Sequence, residues 1–361
     1  MRILIIRTSA MGDVALTTPV LRGMLDRYPE TEIILLTRPQ FWAYFTSYER
    51  IQLFLADFRK RHKGISGLYR LYRDIQKQGT VDYVIDLHDV LRSKILRTFF
   101  RLNGVPYVKI DKGRDEKKAI IKGMSREPLK HTVERYADAM REAGFNIALP
   151  PGPWIKPGEE SLRSISGMMD QTGEINIGIA PFAKHRLKMW PVENMISLMR
   201  NISENYRVRF WLFGGKDEHA KLNAIHDAIR NSENLAGRLN LGEEIAFMSV
   251  LDVMISMDSS NMHMSALAGT NVISLWGATD PVTGFGAWGQ PDEYAVKIPF
   301  SRLGCRPCTV FGKGTCRRKD HACMIWLTPQ IVFQQITDSG LFDRIMIAKN
   351  NNSLRITKSP G

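Results

Sequence analysis

The chain lacks any hydrophobic run long enough to cross a bilayer. Its longest apolar stretches, such as the opening MRILIIR, fall well short of the roughly 20 residues a spanning helix needs. The start also lacks the apolar core and cleavage site of a secretory leader, because Arg7 and a polar loop follow at once. These absences predict a cytoplasmic protein. There is no zinc-finger, RNA-recognition or helix-turn-helix signature, so nucleic acid is not an expected partner. No G-x-G-x-x-G follows the first strand-like run, which removes the dinucleotide fingerprint. There is no short-period repeat and no low-complexity segment. Acidic residues are outnumbered, with 37 Asp and Glu against 50 Lys and Arg, a net charge of +13. That balance points to an anionic partner such as a phosphorylated substrate or an anionic membrane face.

Cysteine is scarce as well. Four residues, Cys305, Cys308, Cys316 and Cys323, sit together in CRPCTVFGKGTCRRKDHACM. The first pair is C-x2-C, whereas six residues separate the second, a loose spacing for a zinc ribbon. A reducing compartment argues against disulfides. A four-thiolate zinc site and a loop of small packing residues both remain open.

What the sequence does hold is alternation. RILIIR, EIILLT, IQLFLA, VDYVIDL and YVKI read as buried strands, and VALTTPVLRGMLDRY, GLYRLYRDIQKQ, VLRSKILRTFFRLNG and LKHTVERYADAMREAG as helices between or after them. The segment IALPPGPWIKPG, 147–158, reads as a linker. The alternation then restarts with INIGIAP, VRFWLFGG, DVMISM and NVISLWG. The fold class is therefore α/β, with two Rossmann-like, doubly wound domains over 1–150 and 151–361 and a cleft between them.

Four strand-to-helix junctions carry candidate chemistry. In DSSNMHMSALAG a strand ends and a short helix closes at Gly269. Asp258 is placed to cap that helix, with Ser259 and Ser260 beside it. The remaining N–H groups and the helix dipole suit a diphosphate. His263, one turn in, is either a packing residue or a ligand to the same anion. FAKHRLKMWP places Lys184, Arg186 and Lys188 after another strand, either as a solvated basic loop or as cations for that anion. After VRFWLFGG, Asp217 and Glu218 open a helix and can either favour its amino end or accept from ribose hydroxyls. Near the amino terminus, RTSAMGDVALTTPVL places Asp13 in a helix's first turn, either as a cap or as a base for an alcohol.

Taken together, RTSAMGDVALTTPVL, KMWP, DSSNMH…LWGATDP and the cysteine segment ending in CM resemble the heptosyltransferase family of glycosyltransferases, family 9, which builds the lipopolysaccharide inner core. The likeness covers most of the chain. It implies a GT-B fold with a nucleotide sugar bound mainly by the carboxy-terminal domain, an inverting, metal-independent reaction without a cofactor, and ADP-heptose as the usual donor. It implies Asp13 as general base, Lys188 on the donor diphosphate, and Asp258, Ser259 and His263 in the donor block. Two departures stand out. Ser260 occupies a place where the family often has glycine, and Ala183 and Lys184 replace threonines often found upstream of the lysine.

The same resemblance implies a lipid-linked, anionic saccharide acceptor on the amino-terminal domain and a peripheral position on the cytoplasmic face of the inner membrane. Three basic groups fit that expectation: Arg59, Lys60, Arg61 and Lys63; then Arg92, Lys94, Arg97 and Arg101 around Leu91, Ile95, Leu96, Phe99 and Phe100; then Lys112, Arg114, Lys117, Lys118 and Lys122. Arg59, Arg61, Arg92 and Lys94 are the expected acceptor contacts. Two other classes stay open. One is a different nucleotide-sugar transferase or epimerase on the same fold, and the other is a non-catalytic nucleotide-sugar binder.

Overall fold

The computed structural model describes residues 1–169 and 173–356, with only the backbone described over 351–356. The chain divides into two compact units. One contains residues 1–114 and 130–158, and the other 115–129 with the chain from 159 onward.

The first unit is built on five parallel strands: β1 Arg2–Ile6, β2 Glu32–Thr37, β3 Ile51–Leu55, β4 Tyr83–Asp86 and β5 Tyr107–Lys109. Their order is β3-β2-β1-β4-β5. The connecting helices are α1 Met11–Ala15, α2 Thr18–Arg27, α3 Gly64–Gln76 and α4 Leu91–Leu102; after β5 come α5 Arg114–Ile121, which from Asp115 on belongs to the second unit, and α6 Thr132–Glu142 of the first. Because side chains alternate along a strand, Leu4 and Ile6 share one face with Ile34 and Leu36. There they pack on Leu68, Leu71 and Ile75 of α3 and Leu96 and Phe100 of α4. The apolar residues of the opposite row, Ile3, Ile5, Ile33 and Leu35, are also buried.

The second unit holds six parallel strands: β6 Ile175–Ala180, β7 Val208–Leu212, β8 Ser232–Asn234, β9 Val253–Met257, β10 Asn271–Trp276 and β11 Ala295–Lys297, in the order β11-β10-β9-β6-β7-β8. The helices are α7 Glu159–Ile165, α8 Val192–Asn205, α9 His219–Ala228, α10 Leu241–Val250, α11 Ser260–Ala268, α12 Ala322–Ile325, α13 Pro329–Asp338 and α14 Leu341–Ile356. Ile177, Ile179, Val253, Ile255 and Ile273 pack with Leu198 and Met199 of α8, Leu222 of α9 and Val332 of α13. On another part of this sheet Trp211 meets Phe247 of α10 edge to face at 4.8 Å. The Trp211 indole N–H donates to Asn176.

In both sheets the chain winds outward from one strand and then returns to build on its other side. That reversal falls between β1 and β4 in the first sheet and between β6 and β9 in the second. Loops leaving the carboxyl ends of such a strand pair diverge, and open α/β sheets bind ligands in the crevice they leave.

The structure changes several expectations. The single helix over 14–28 is two, α1 and α2. The hydroxyls of Thr17 and Thr18 donate back to the Val14 and Ala15 carbonyls at 2.7 and 2.8 Å, and Pro19 cannot donate, so the ladder breaks there. The Pro-rich segment 147–158 groups with the first unit, and the Tyr48 hydroxyl donates to the Trp154 carbonyl. Lys117, Lys118 and Lys122 belong to the second unit, so the third basic group is divided between the two. Leu96 and Phe100 are core residues, and Arg97 is buried between Asp86 (2.7 Å) and Asp89 (3.1 Å), which removes all three from any outward face.

One buried node was not foreseen. Asp280, in the ATDP stretch, is fully buried and pairs with Arg306 at 3.0 Å and Lys297 at 3.1 Å. The Arg306 guanidinium also donates to the carbonyls of Gly277, Thr279 and Ile298. A buried charge persists only when paired and hydrogen-bonded. Arg306 therefore anchors the start of the cysteine-rich segment to the loop after β10.

Candidate functional site

In the second unit the reversal lies between β6 and β9, and the loop after each strand brings one charge to it. Lys188 ends the short 3₁₀ turn Arg186–Lys188 after β6, and Asp258 follows β9 directly. They form an ion pair at 2.7 Å, with side chains 15% and 7% exposed. Thr279, in the loop after β10, donates to the same carboxylate at 2.8 Å. Three neighbouring strand ends are thus tied at one carboxylate. Gly312, in the left-handed region at φ 76°, lies against the Lys188 stem, where an added Cβ would fall 2.7 Å from its Cγ. A bulkier residue there would displace the lysine.

This geometry corrects the role expected for Asp258. It does not cap α11. Ser259 occupies the N-cap position, and its hydroxyl faces that of Ser256 at 3.2 Å rather than a helix N–H. Ser260 is the first helical residue, and His263 is buried one turn in. The first-turn N–H groups of α11 donate no bond to the cap side chain. They stand beside Asp258 with the helix dipole behind them, an arrangement suited to an anion.

The basic loop divides. Lys188 turns to Asp258, whereas Arg186 lines a cavity of about 780 Å³ with Phe182, Lys221, Lys319 and His321. Burial, then the charge of Arg186, pushes the His321 pKa down. Burial, then Lys188, Lys184 and Lys313, does the same to His185, so Lys184 contributes to a positive field in this loop. Beyond β7, Glu218 accepts from the Gly215 N–H at 2.9 Å and closes its own turn, while Asp217 is exposed. That bond holds Glu218 to the turn at the start of α9.

Cys305, Cys308, Cys316 and Cys323 are free thiols lining one space of about 10 Å³. Burial pushes Cys308 up and Cys323 up to about 11, which favours neutral thiols. Among the described residues, no group of three or more His, Cys, Asp or Glu is placed to hold a metal ion.

In the first unit the reversal between β1 and β4 brings together Arg7, Thr8, Ser9 and Asp13 with His88. Asp13 lies in the first turn of α1, accepts from the Ala10 N–H at 3.2 Å and pairs with Arg7 at 2.9 Å. Its side chain keeps 26% exposure, against 8% for Arg7. The Arg7 guanidinium also donates to the Leu87 carbonyl at 2.6 Å and lies 5.6 Å from the centre of the Tyr136 ring. Burial opposes the Arg7 charge, but Asp13 and Tyr136 outweigh it and hold the guanidinium protonated. His88 bonds Thr8 through Nδ1 (3.1 Å) and Ser9 through Nε2 (3.2 Å). Burial, then Arg7 and Lys112, pushes His88 down to about 3. The imidazole is therefore neutral, donating through one nitrogen and accepting through the other, and it ties the loop that carries Asp13 to the end of β4.

Of the expected acceptor contacts, Arg61 is held by Asp74 through two bonds of 2.8 Å, and Arg59 is exposed. Lys94 is exposed near Asp89, and Arg92 lies over the Phe58 ring. Sequence reasoning missed Arg7, His88 and Thr279. The available signal was position, since Arg7 ends one strand-like run and His88 directly follows another.

Two doubly wound units, with an anion-suited helix end in one and a partly exposed carboxylate in the other, make up a two-domain α/β protein. The family model for glycosyltransferase family 9 (heptosyltransferase) matches residues 68–310, and the chain belongs to that family of glycosyltransferases. It is 21% identical over 343 residues to lipooligosaccharide heptosyltransferase 2 of Campylobacter jejuni, covering 93% of this chain and 98% of the relative. Among solved structures it resembles a family 9 glycosyl transferase from Veillonella parvula, with a TM-score of 0.75, 19% identity, and 95% and 97% coverage of the two chains. It also resembles the Escherichia coli heptosyltransferase WaaC solved with ADP-2-deoxy-2-fluoro heptose, with a TM-score of 0.67, 17% identity, and 94% and 100% coverage. The fold is of the GT-B type.

The state of His88 predicts a pH effect on stability. Its folded value of about 3 lies below the unfolded value near 6.5. Its contribution is present above pH 6.5 and is lost as pH falls toward 3, because the unfolded chain binds the proton first. His88→Gln keeps a hydrogen-bonding side chain but does not titrate. Between pH 7.5 and 5.0 the wild type should lose about 2 kcal/mol more than this variant, by urea unfolding. Equal losses would mean that His88 is protonated in the fold.

Proposed function

We propose that the enzyme transfers a heptose from ADP-heptose to a saccharide of the lipopolysaccharide core, with inversion at the anomeric carbon and without a metal. The observation that carries this reading is positional: Asp13 stands at the strand-order reversal of the first sheet, and the Lys188–Asp258 pair at that of the second. The kinship with heptosyltransferases supports the sugar, and the ligand in the Escherichia coli WaaC structure supports the adenosine diphosphate.

In this reading Asp13 is the base and Arg7 its positioning partner. The acceptor hydroxyl attacks the anomeric carbon opposite the leaving group, and its proton passes to Asp13. The bond from that carbon to the diphosphate oxygen breaks, and the electron pair leaves with ADP. Negative charge grows on the diphosphate, where Lys188 and the amino end of α11 stabilise it, with His263 nearby. Arg186, Lys184 and the 780 Å³ cavity serve the rest of the donor. No helix among the described residues is long and apolar enough to cross a membrane. We place the enzyme at the cytoplasmic face of the inner membrane, where a lipid-linked acceptor would meet it. Exposed Lys94 and Arg101, between exposed Leu91 and Leu102 on α4, support that docking.

Asp13→Asn should leave ADP affinity unchanged, by calorimetry, and lower turnover by about two to four orders of magnitude, by nucleotide release. A rate near that of the wild type would remove Asp13 from the mechanism.

The ion pair yields a second expectation. If Asp258 were only a negative charge beside the donor, Asp258→Ala would tighten ADP binding. Because Asp258 positions Lys188, both Asp258→Ala and Lys188→Ala should weaken ADP binding by about 1–3 kcal/mol and leave adenosine binding nearly unchanged. Tighter ADP binding by Asp258→Ala would contradict the positioning role.

A further inference from the structure

Most arginines at the carboxyl edge of the first sheet meet a carboxylate. Arg7 pairs with Asp13, Arg97 with Asp86 and Asp89, and Arg114 with Asp89. Arg38 and Arg92 differ. Arg38 follows β2 directly, and Arg92 is the second residue of α4, after β4. In strand order β2 and β4 flank β1, which leads to Asp13. The Arg92 and Arg38 guanidinium carbons lie 4.2 and 5.9 Å from the centre of the Phe58 ring, in the loop after β3. Both residues are half-buried, and Arg38 Nε is shut off from solvent without a hydrogen-bond partner. Among the described residues neither forms an ion pair.

Two partly desolvated like charges sharing one ring are unfavourable by themselves. Burial, then the charge of Arg38, pushes the Arg92 pKa down, which is the trace of that conflict. The face of Phe58 offsets part of the cost. An anion between the guanidiniums would offset the rest, and their planar forks match a carboxylate or phosphate. The place is near the chemistry, because the charge of Arg92 also acts on His88, which bonds Ser9 four residues before Asp13.

We propose that Arg38 and Arg92, both against the Phe58 ring, form a subsite for an anionic group, a carboxylate or phosphate, carried by the acceptor saccharide close to the hydroxyl that attacks. The inference rests on the glycosyl-transfer reading for its acceptor, but the anion subsite itself is measurable without turnover.

The test uses the full chain. Inorganic phosphate and gluconate are titrated into the wild type and into a double variant, Arg38→Gln with Arg92→Gln, by calorimetry. Binding of at least one anion should weaken about tenfold or more in the double variant. Arg38→Lys with Arg92→Lys should recover part of it, since charge returns without the fork. In transfer assays with detergent-solubilised lipooligosaccharide, the double variant should raise the acceptor KM about tenfold and leave the donor KM within about twofold. Acceptors freed of phosphate, or with carboxyls methyl-esterified, identify the group, because the modification that removes it abolishes the difference between wild type and variant. Equal anion binding by wild type and double variant, or an unmoved acceptor KM, would overturn the proposal. Anion binding lost in the variant, with no transfer from any donor by the wild type, would leave the subsite standing and reject glycosyl transfer instead.

Discussion

The contact between Lys188 and Asp258 is the constraint on which the carboxyl edge of the second sheet depends. Lysine is a flexible side chain that loses much rotamer freedom when fixed, and a largely buried ammonium is costly without a counter-charge. Asp258 meets both difficulties, and Thr279 fixes Asp258 in turn. The loops after β6, β9 and β10 are therefore set by one carboxylate, and the amino end of α11 is set with them. Arg306 and Asp280 extend the same control to the cysteine-rich segment, whose Gly312 borders Lys188.

The first sheet solves a similar problem with different residues. There a carboxylate is held in place and is still reachable. Arg7 is more deeply buried than Asp13, so the pairing orients the carboxylate from below while leaving part of it exposed. His88, kept neutral by burial and by surrounding cations, stitches the Asp13 loop to β4 without adding charge. In each unit a polar contact thus bridges the two strands where the winding reverses.

The periodic parts were legible. The buried strands RILII, EIILL, INIGIA and VMISM read directly, because parallel strands covered on both faces are nearly continuous apolar runs. Asp13, Lys188 and Asp258 were legible as residues at strand ends. Their partners were not, since an ion pair such as Lys188 with Asp258 spans 70 positions and no local pattern encodes it. Asp258 was misread as a cap because its place before a helix is a capping place, and the tertiary partner prevailed. Strands β8 and β11 were missed because SEN and AVK are too short to show a period. Helix α10 had a signal that went unread, Asn240 and Glu243 forming a reciprocal cap. The inward turn of Arg97 was hidden because its spacing on α4 fits a basic surface face as well as a buried one.

The central claim is that this enzyme transfers a sugar in a single displacement from an ADP-sugar. The most direct measurement follows purified protein with ADP-, GDP- and UDP-sugars and a lipooligosaccharide acceptor, recording nucleotide release and the anomeric configuration of the product by NMR. The account predicts turnover from ADP-heptose only when the acceptor is present, with a product configuration opposite to that of the donor. Retained configuration, or equal conversion of a nucleotide sugar without any acceptor, would contradict it.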